Sequence, residues 1–303
     1  MSRDGPTNVA ASVHARLLNV ARKTGENFNL LLIRHALERF LYRLSRSRYH
    51  DQFVLKGAFL FVAWENAAER PTRDLDLLAF GDPDIARLEE VFREICNAEV
   101  EPDGLVFDPA TVLGAEIREG AIYDGVRMKF MAHLGNARTR MQVDVGFGDA
   151  VVPPADLLEY PTILDQDVPQ VLGYPPEAVI AEKFHAMVTL GFANSRLKDY
   201  YDIWRIRRAF QFELPRLVAA LTATFKRRAT DLPIEEPEGL TREYAERWKG
   251  NWAQLSGRYD LDEELPSLED VVREIRGFLM PACHAAAEGQ PQKLIWNLAN
   301  GWG

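Results

Sequence analysis

The sequence predicts an α/β fold, a mixed core of strands and helices with helical segments before and after it. Three observations carry the prediction. Apolar residues recur at helical spacing over the first fifty positions, alternate with polar ones near the middle, and return to helical spacing from residue 176. No internal repeat or low-complexity tract interrupts this order.

Val9–Lys23 and Leu30–Ser47 read as two helices parted by the polar Gly25–Asn29. In the second, Leu31, Ile33, Ala36, Leu37, Phe40, Leu41 and Leu44 give a broad apolar face. Phe53–Trp64 is apolar apart from Lys56. It reads as a strand or tight turn entering a helix, with Gly57 where the backbone must come close to something. Leu75–Phe80 reads as a strand, reached through the turn-like Arg70-Pro71-Thr72-Arg73, and Arg87–Ala98 as a helix. Ile117–Tyr123, Val126–His133 and Arg140–Phe147 read as successive strands, with Asp124-Gly125 as a hairpin turn. The Pro-rich Val152–Pro176 reads as a long irregular connection. Helices follow at Pro176–Leu190, Leu197–Ala209 and Pro215–Arg227. Asp231–Gly239, with two prolines and four acids, is the best linker candidate. Beyond it lie a Trp-rich helix, Tyr244–Leu255, and another opened by Ser267 as N-cap; the tail from Pro281 reads as frayed or late to pack. The expected organisation is a helical pair over 1–50, an α/β core over 51–175 and a helical region over 176–303.

Composition narrows the function. The 303 residues, 47% hydrophobic and 27% charged, suffice for one large domain or two modest ones. Two cysteines, Cys96 and Cys283, cannot build a disulfide framework, and no Cys/His cluster has zinc-ligand spacing. The longest apolar run is the eight residues Gly57–Trp64, far below the roughly 20 a membrane helix needs. The first residues carry no apolar signal core. A cytoplasmic protein without a membrane span is expected. The net charge of -9 argues against general nucleic-acid binding, but residues 1–48 hold nine basic residues against three acids, a local +6 on a body of -15. That arm suits either a local polyanion contact or a solvated basic helix face.

On a strand, Asp74 and Asp76 share one face while Leu75 and Leu77 enter the core. Two such carboxylates repel unless a cation lies between them, and Mg²⁺ suits the arrangement, keeping waters and substrate phosphates in the rest of its shell. A solvated strand end fits the same pattern. Asp144 repeats the geometry on a later strand, opposite Val143 and Val145, and would complete a metal cradle if that strand is a neighbour. Lys183 falls on the helical arc of Val179, Ile180, Phe184 and Met187, so it needs a partner. Asp199 and Asp202 share a face with Ile203 and Ile206 on the next helix, and either can supply it, as a salt bridge or as part of an active site. His185 lies on another side of its helix and reads as packing or surface. No nucleophile elbow, P-loop or G-x-G-x-x-G occurs. Carboxylates with a lysine therefore suit metal-assisted phosphoryl chemistry better than acyl transfer.

Lys56-Gly57-Ala58, Arg70-Pro71-Thr72-Arg73-Asp74-Leu75-Asp76, Ala181-Glu182-Lys183 and Arg196-Leu197-Lys198-Asp199-Tyr200-Tyr201-Asp202-Ile203 occur in this order. The series resembles the AbiEii/AbiGii family of nucleotidyltransferase toxins of type IV toxin–antitoxin and abortive-infection systems, over about residues 10–210. The resemblance implies a DNA polymerase β-like nucleotidyltransferase core with helical additions. It implies Mg²⁺ and a nucleoside triphosphate, transfer to an RNA acceptor such as the tRNA 3′ end, and an antitoxin encoded nearby. By position, Asp74 and Asp76 would bind metal, with Asp144 belonging to the general fold pattern. Lys183 would contact the triphosphate and Asp199 would be the remaining catalytic carboxylate. Lys56, Gly57, Arg70, Thr72 and Asp202 would line the nucleotide. Ala58 stands where many nucleotidyltransferases have Ser, so backbone N–H groups would have to hold the phosphate there. Arg39, Arg43 and Arg46 of the basic arm become the candidate landing surface for the acceptor RNA. A same-fold transferase or kinase acting on a protein or small molecule, and a non-catalytic nucleotide- or partner-binding module, stay open as alternatives.

Overall fold

The computed structural model describes residues 8–65, 73–118, 124–259, 265–289 and 291–303. The chain forms two compact units, one of residues 1–148 and 156–173, the other of residues 149–155 and 174–303.

The first unit begins with helices α1 (Val9–Thr24) and α2 (Phe28–Arg46), each opened by an asparagine whose side chain accepts from the first-turn N–H groups. Strand β1 (Phe53–Lys56) runs through Gly57 into α3 (Ala58–Glu65). Strand β2 (Leu75–Ala79), α4 (Ile85–Cys96), the meander β3 (Leu105–Arg118), β4 (Asp124–Leu134) and β5 (Ala137–Phe147), and two short strands, β6 (Asp156–Glu159) and β7 (Gln170–Gly173), follow. The strands form one mixed sheet in the order β3-β4-β5-β2-β1-β7-β6. Pairings β5/β2 and β1/β7 are parallel and the others antiparallel. Phe40 of α2, Phe92 of α4, Phe107 of β3 and Phe130 of β4 meet with ring centroids 4.9–6.0 Å apart. Each buried ring stabilises the helix-on-sheet packing by about 1.5–3 kcal/mol.

Three sequence expectations change here. The strand expected from Ile117 already begins at Leu105, because a register shift between Asp108 and Leu113 carries the pairing past Pro109, and it is described as far as Arg118. Asp124-Gly125 is the paired start of β4, where an added Cβ on Gly125 would stand 3.2 Å from the Val145 carbonyl oxygen; residues 119–123 lie outside the described ones. Val152–Pro176 is not wholly irregular, since it supplies β6 and β7.

The basic arm is also corrected. Arg43 donates to both oxygens of Asp103 at 2.6 and 3.1 Å and to the Leu105 carbonyl at 3.2 Å. Arg39 lies against Glu38 and donates to the Asp167 carbonyl at 2.7 Å. Both guanidiniums are buried, so of the proposed landing surface only Arg46 is exposed. Arg43 and Arg39 hold α2 to the rest of the unit.

The second unit contains α5 (Pro176–Leu190), α6 (Leu197–Ala209), α7 (Leu214–Arg227), α8 (Arg242–Tyr259), α9 (Leu268–Glu288) and a two-strand hairpin, β8 (Trp296–Asn297) with β9 (Gly301–Trp302). Asp231–Gly239 is not a linker. Gly239 is buried where a Cβ would meet the Met187 carbonyl oxygen at 2.6 Å, and its own carbonyl accepts from the Tyr200 hydroxyl at 2.7 Å. Nor does the chain fray at Pro281. Helix α9 continues through it with Ala282 and Cys283 buried, and Phe278 packs against Trp296 and Trp302 of the closing hairpin. No helix among the described residues is long and apolar enough to cross a membrane.

Candidate active site

Four charged residues form one row across the first unit's sheet. Lys56 of β1 is the register partner of Asp76, Asp76 of Asp144, and Asp144 of Arg127. Directly opposed residues on neighbouring strands point to the same face. The intervening Leu75, Leu77, Val143 and Val145 are buried on the other face, so alternation forces the carboxylates out of the core. Asp74 stands immediately before β2, one alternation from Asp76.

Gly57 shows what the backbone must approach. Its φ is +71°, and an added Cβ would lie 2.7 Å from the Asp76 Cγ and 2.8 Å from its Cβ. The bare glycine is thus the floor on which the Asp76 carboxylate rests. Gly57→Ala is expected to cost about 1–3 kcal/mol through backbone strain and displaced packing, and to move the Asp76 carboxylate. Thermal melts and Mn²⁺ titration of the variant check both effects.

Electrostatics mark the same place. Burial, then the neighbouring Asp144 charge, pushes the Asp74 carboxyl above its usual range, while Arg127 and Arg73 partly offset the shift. Arg127 donates from Nε to Asp144 Oδ1 at 2.8 Å and from Nη2 to Oδ2 at 2.7 Å. Sequence reasoning missed this arginine. Its alternation with Val126 and Met128 was visible, but the register that sets it against Asp144 was not.

No group of three or more His, Cys, Asp or Glu side chains among the described residues is placed to hold a metal ion. Asp74 and Asp76 do fit a hard divalent cation of the kind that takes one or two carboxylates and completes its shell with water and phosphate oxygens. Arg70 and Thr72 lie outside the described residues.

In the second unit, the lysine on the apolar stripe of α5 finds both expected partners on α6. Lys183 Nζ lies 2.7 Å from Asp199 Oδ1 and 2.8 Å from Asp202 Oδ2. Burial opposes the lysine's charge, but Asp202 and Asp199 together outweigh it and hold the ammonium above its ordinary pKa. His185 packs edge-on to Phe225, with its ring nitrogens near Thr230 and Arg228. Lys183→Met removes the ammonium that lies between two aspartates, 7% and 3% exposed. The variant is expected to lose about 3–5 kcal/mol of stability, seen as a lowered melting temperature, so its loss of activity alone does not diagnose a catalytic role.

The sequence model of the family described as "Nucleotidyl transferase AbiEii toxin, Type IV TA system" matches residues 39–274, well over half of the chain. The chain belongs to this AbiEii family. The match begins within α2 and ends within α9, so it leaves out α1 and reaches farther toward the C-terminus than the 10–210 stretch of quoted motifs. AbiEii membership makes nucleotidyl transfer the catalytic class and a type IV toxin–antitoxin system the setting. Two solved structures from Helicobacter pylori show distant likeness. JHP933 is 12% identical with a TM-score of 0.40 over 84% of this chain and 93% of its own. A candidate nucleotidyltransferase is 12% identical with a TM-score of 0.41 over 84% of this chain and 96% of its own. No curated protein matches the chain significantly.

Proposed function

We propose that this AbiEii-family protein transfers a nucleotide from a nucleoside triphosphate to the 3′ end of a tRNA in the cytoplasm, so blocking translation and growth. The observation that carries the reading is Asp76, set against Gly57 in a sheet row with Lys56, Asp144 and Arg127, with Asp74 immediately before its strand. Such a face suits a polyphosphate accompanied by Mg²⁺ better than a neutral substrate.

Asp74 and Asp76 would hold the Mg²⁺, which when bound supplies positive charge to the triphosphate and the departing pyrophosphate. Lys56, the register partner of Asp76, would meet an anionic oxygen of the nucleotide. The N–H groups at Gly57 and Ala58 offer phosphate contacts in place of a serine hydroxyl. By the resemblance, Lys183 would contact phosphate and Asp199 would be a catalytic carboxylate. Asp202 keeps the lysine in place. Arg70 and Thr72 keep the nucleotide-lining role the resemblance gives them. A cognate antitoxin is the expected partner, acting without a permanent complex.

The test incubates the protein with Mg²⁺, total tRNA and each nucleoside triphosphate labelled at the α or the γ phosphate, then sequences RNA 3′ ends. Transfer of α label to a 3′ terminus is the expected result. Transfer of γ label alone makes the protein a kinase, and label appearing only in protein moves the acceptor away from RNA.

A further inference from the structure

The exposed face of the sheet does not stop at the charged row. Strands β4 and β5 run on past it, away from Arg127 and Asp144, to the turn between Leu134 and Ala137. Alternation buries Met128, Phe130 and Ala132 of β4 and Thr139, Met141 and Val143 of β5. Lys129, His133, Arg138 and Arg140 therefore share the face that carries the row. Lys129, Arg138 and Arg140 are exposed, and none of the three has a hydrogen bond or ion pair with another described residue. Arg138 and Arg140 stand two residues apart on one strand and Lys129 lies diagonally across from Arg140, so the three repel one another. The chain has 45 acidic residues with which to neutralise them. Among the described residues of β3, β4 and β5 beyond the row, only Asp108 is an acid, and it accepts from the Ala110 N–H at 3.0 Å. Arg39 and Arg43, by contrast, are engaged inside the fold.

We propose that this face is the track along which the acceptor RNA lies, its phosphates meeting Lys129, Arg140 and Arg138 in turn. The inference rests on the reading given above, in which an RNA 3′ end reacts beside Asp76. Such a strand has to leave the row in some direction, and in this one the sheet is lined with unneutralised cations. Counted along β5 from Asp144, Lys129 stands at the level of Gln142, and Arg140 and Arg138 follow. At roughly 3.4 Å per residue these levels lie about 7, 14 and 20 Å from the row. A triphosphate held at the row ends short of Arg138, whereas a strand passes every level. His133, the register partner of Arg138, and the exposed Val106 and Leu113 of β3 form the outer margin, where ribose and base surfaces would rest. Cations in such a stripe position a backbone without reading its sequence, which suits an acceptor known by its end. A chain of net charge -9 can meet RNA here because the local field, not the sum, governs the encounter.

The experiment uses the full chain and two probes. Fluorophore-labelled total tRNA is titrated at several KCl concentrations, and α,β-methylene nucleoside triphosphates with Mn²⁺ are followed by calorimetry. Lys129→Gln/Arg138→Gln/Arg140→Gln is compared with the wild type, with each single variant and with a control of equal charge, Arg22→Gln/Lys23→Gln/Lys226→Gln, drawn from exposed positions elsewhere. Thermal melts certify folding. The triple variant is expected to weaken tRNA binding by at least about tenfold and to lower the slope of log K against log salt by about 2, near 0.7 for each lost phosphate contact. In the α-label assay its KM for tRNA rises while kcat, and its affinity for the nucleotide analogues, stay within about twofold. Each single variant accounts for about two- to fourfold in tRNA affinity, and the control leaves affinity and slope at their wild-type values. The inference is overturned if the triple variant keeps the wild-type slope or if the control loses as much. It is also overturned if analogue binding falls together with tRNA binding, which would give the face to the nucleotide. Unchanged tRNA binding with lost binding of poly-glutamate would give it to an acidic protein and overturn the inference as well. A wild type that transfers no α label to RNA ends the reading beneath, and this inference with it. Wild-type transfer that the triple variant matches in KM ends this inference alone.

Discussion

Asp74→Asn is expected to lower nucleotide transfer by about 10²–10³-fold while raising the melting temperature at neutral pH. The two effects share a cause. The fold pushes the Asp74 carboxyl up through burial first and the Asp144 charge second, so the ionised form is costly in the native state. A group whose folded pKa is raised destabilises the fold once pH exceeds that pKa, and the cost fades as pH falls toward the ordinary carboxylate range. Replacing it with a neutral isostere removes the cost at pH 7 and changes little at pH 4. Melts at the two pH values, beside an α-label transfer assay, measure both halves. A variant that lost activity and stability together would make Asp74 a structural acid and sink the assignment.

Arg43→Ala is expected to cost about 3–5 kcal/mol, a fall in melting temperature on the order of 10 °C. The substitution strands Asp103, 6% exposed, without its cation and leaves the Leu105 carbonyl short of a donor. Arg46→Glu, one helical turn farther on but exposed, is expected to change stability by less than about 0.5 kcal/mol. Differential scanning calorimetry separates the two. If Arg43→Ala folded as well as the wild type yet failed to modify RNA, the arginine would belong to a contact surface after all.

The helices around Lys183 were legible residue by residue. Pro176–Leu190 and Leu197–Ala209 have the predicted bounds, because a proline opens the first and the apolar period in both is clear. The wheel position of Lys183 demanded a buried acid, and Asp199 and Asp202 supply two. The sequence marks Gly57 as a close approach, and Asp76 is what it approaches. What escaped was non-local. Strand β3 hides its alternation behind Asp108, Pro109 and Gly114, and β6 and β7 have four residues each, too few for a period to emerge among prolines. Arg39 and Arg43 look like surface charge in any sum, since their partners Asp167 and Asp103 lie 128 and 60 residues away. The same limit concealed Arg127. Which strand lies beside which is decided by the whole sheet, and a single carboxylate carries no mark of its neighbour.

The parallel pairing of β1 with β7 also sets an order of events during synthesis. Val54 and Leu55 pair with Leu172 and Gly173, and both are fully buried in the finished sheet. A nascent chain that has emerged only to residue 160 owns every carboxylate of the charged row but lacks the strand that covers this side of β1. Its central strand presents an open apolar edge, the form of backbone most prone to pair with another chain. Closing a loop of more than one hundred residues is slow compared with forming the β3–β4–β5 meander. Strand β1, against which Asp76 is set, therefore waits on a late-made neighbour, and a chain ended before residue 170 is expected to leave that edge open and to aggregate, seen as its loss on centrifugation.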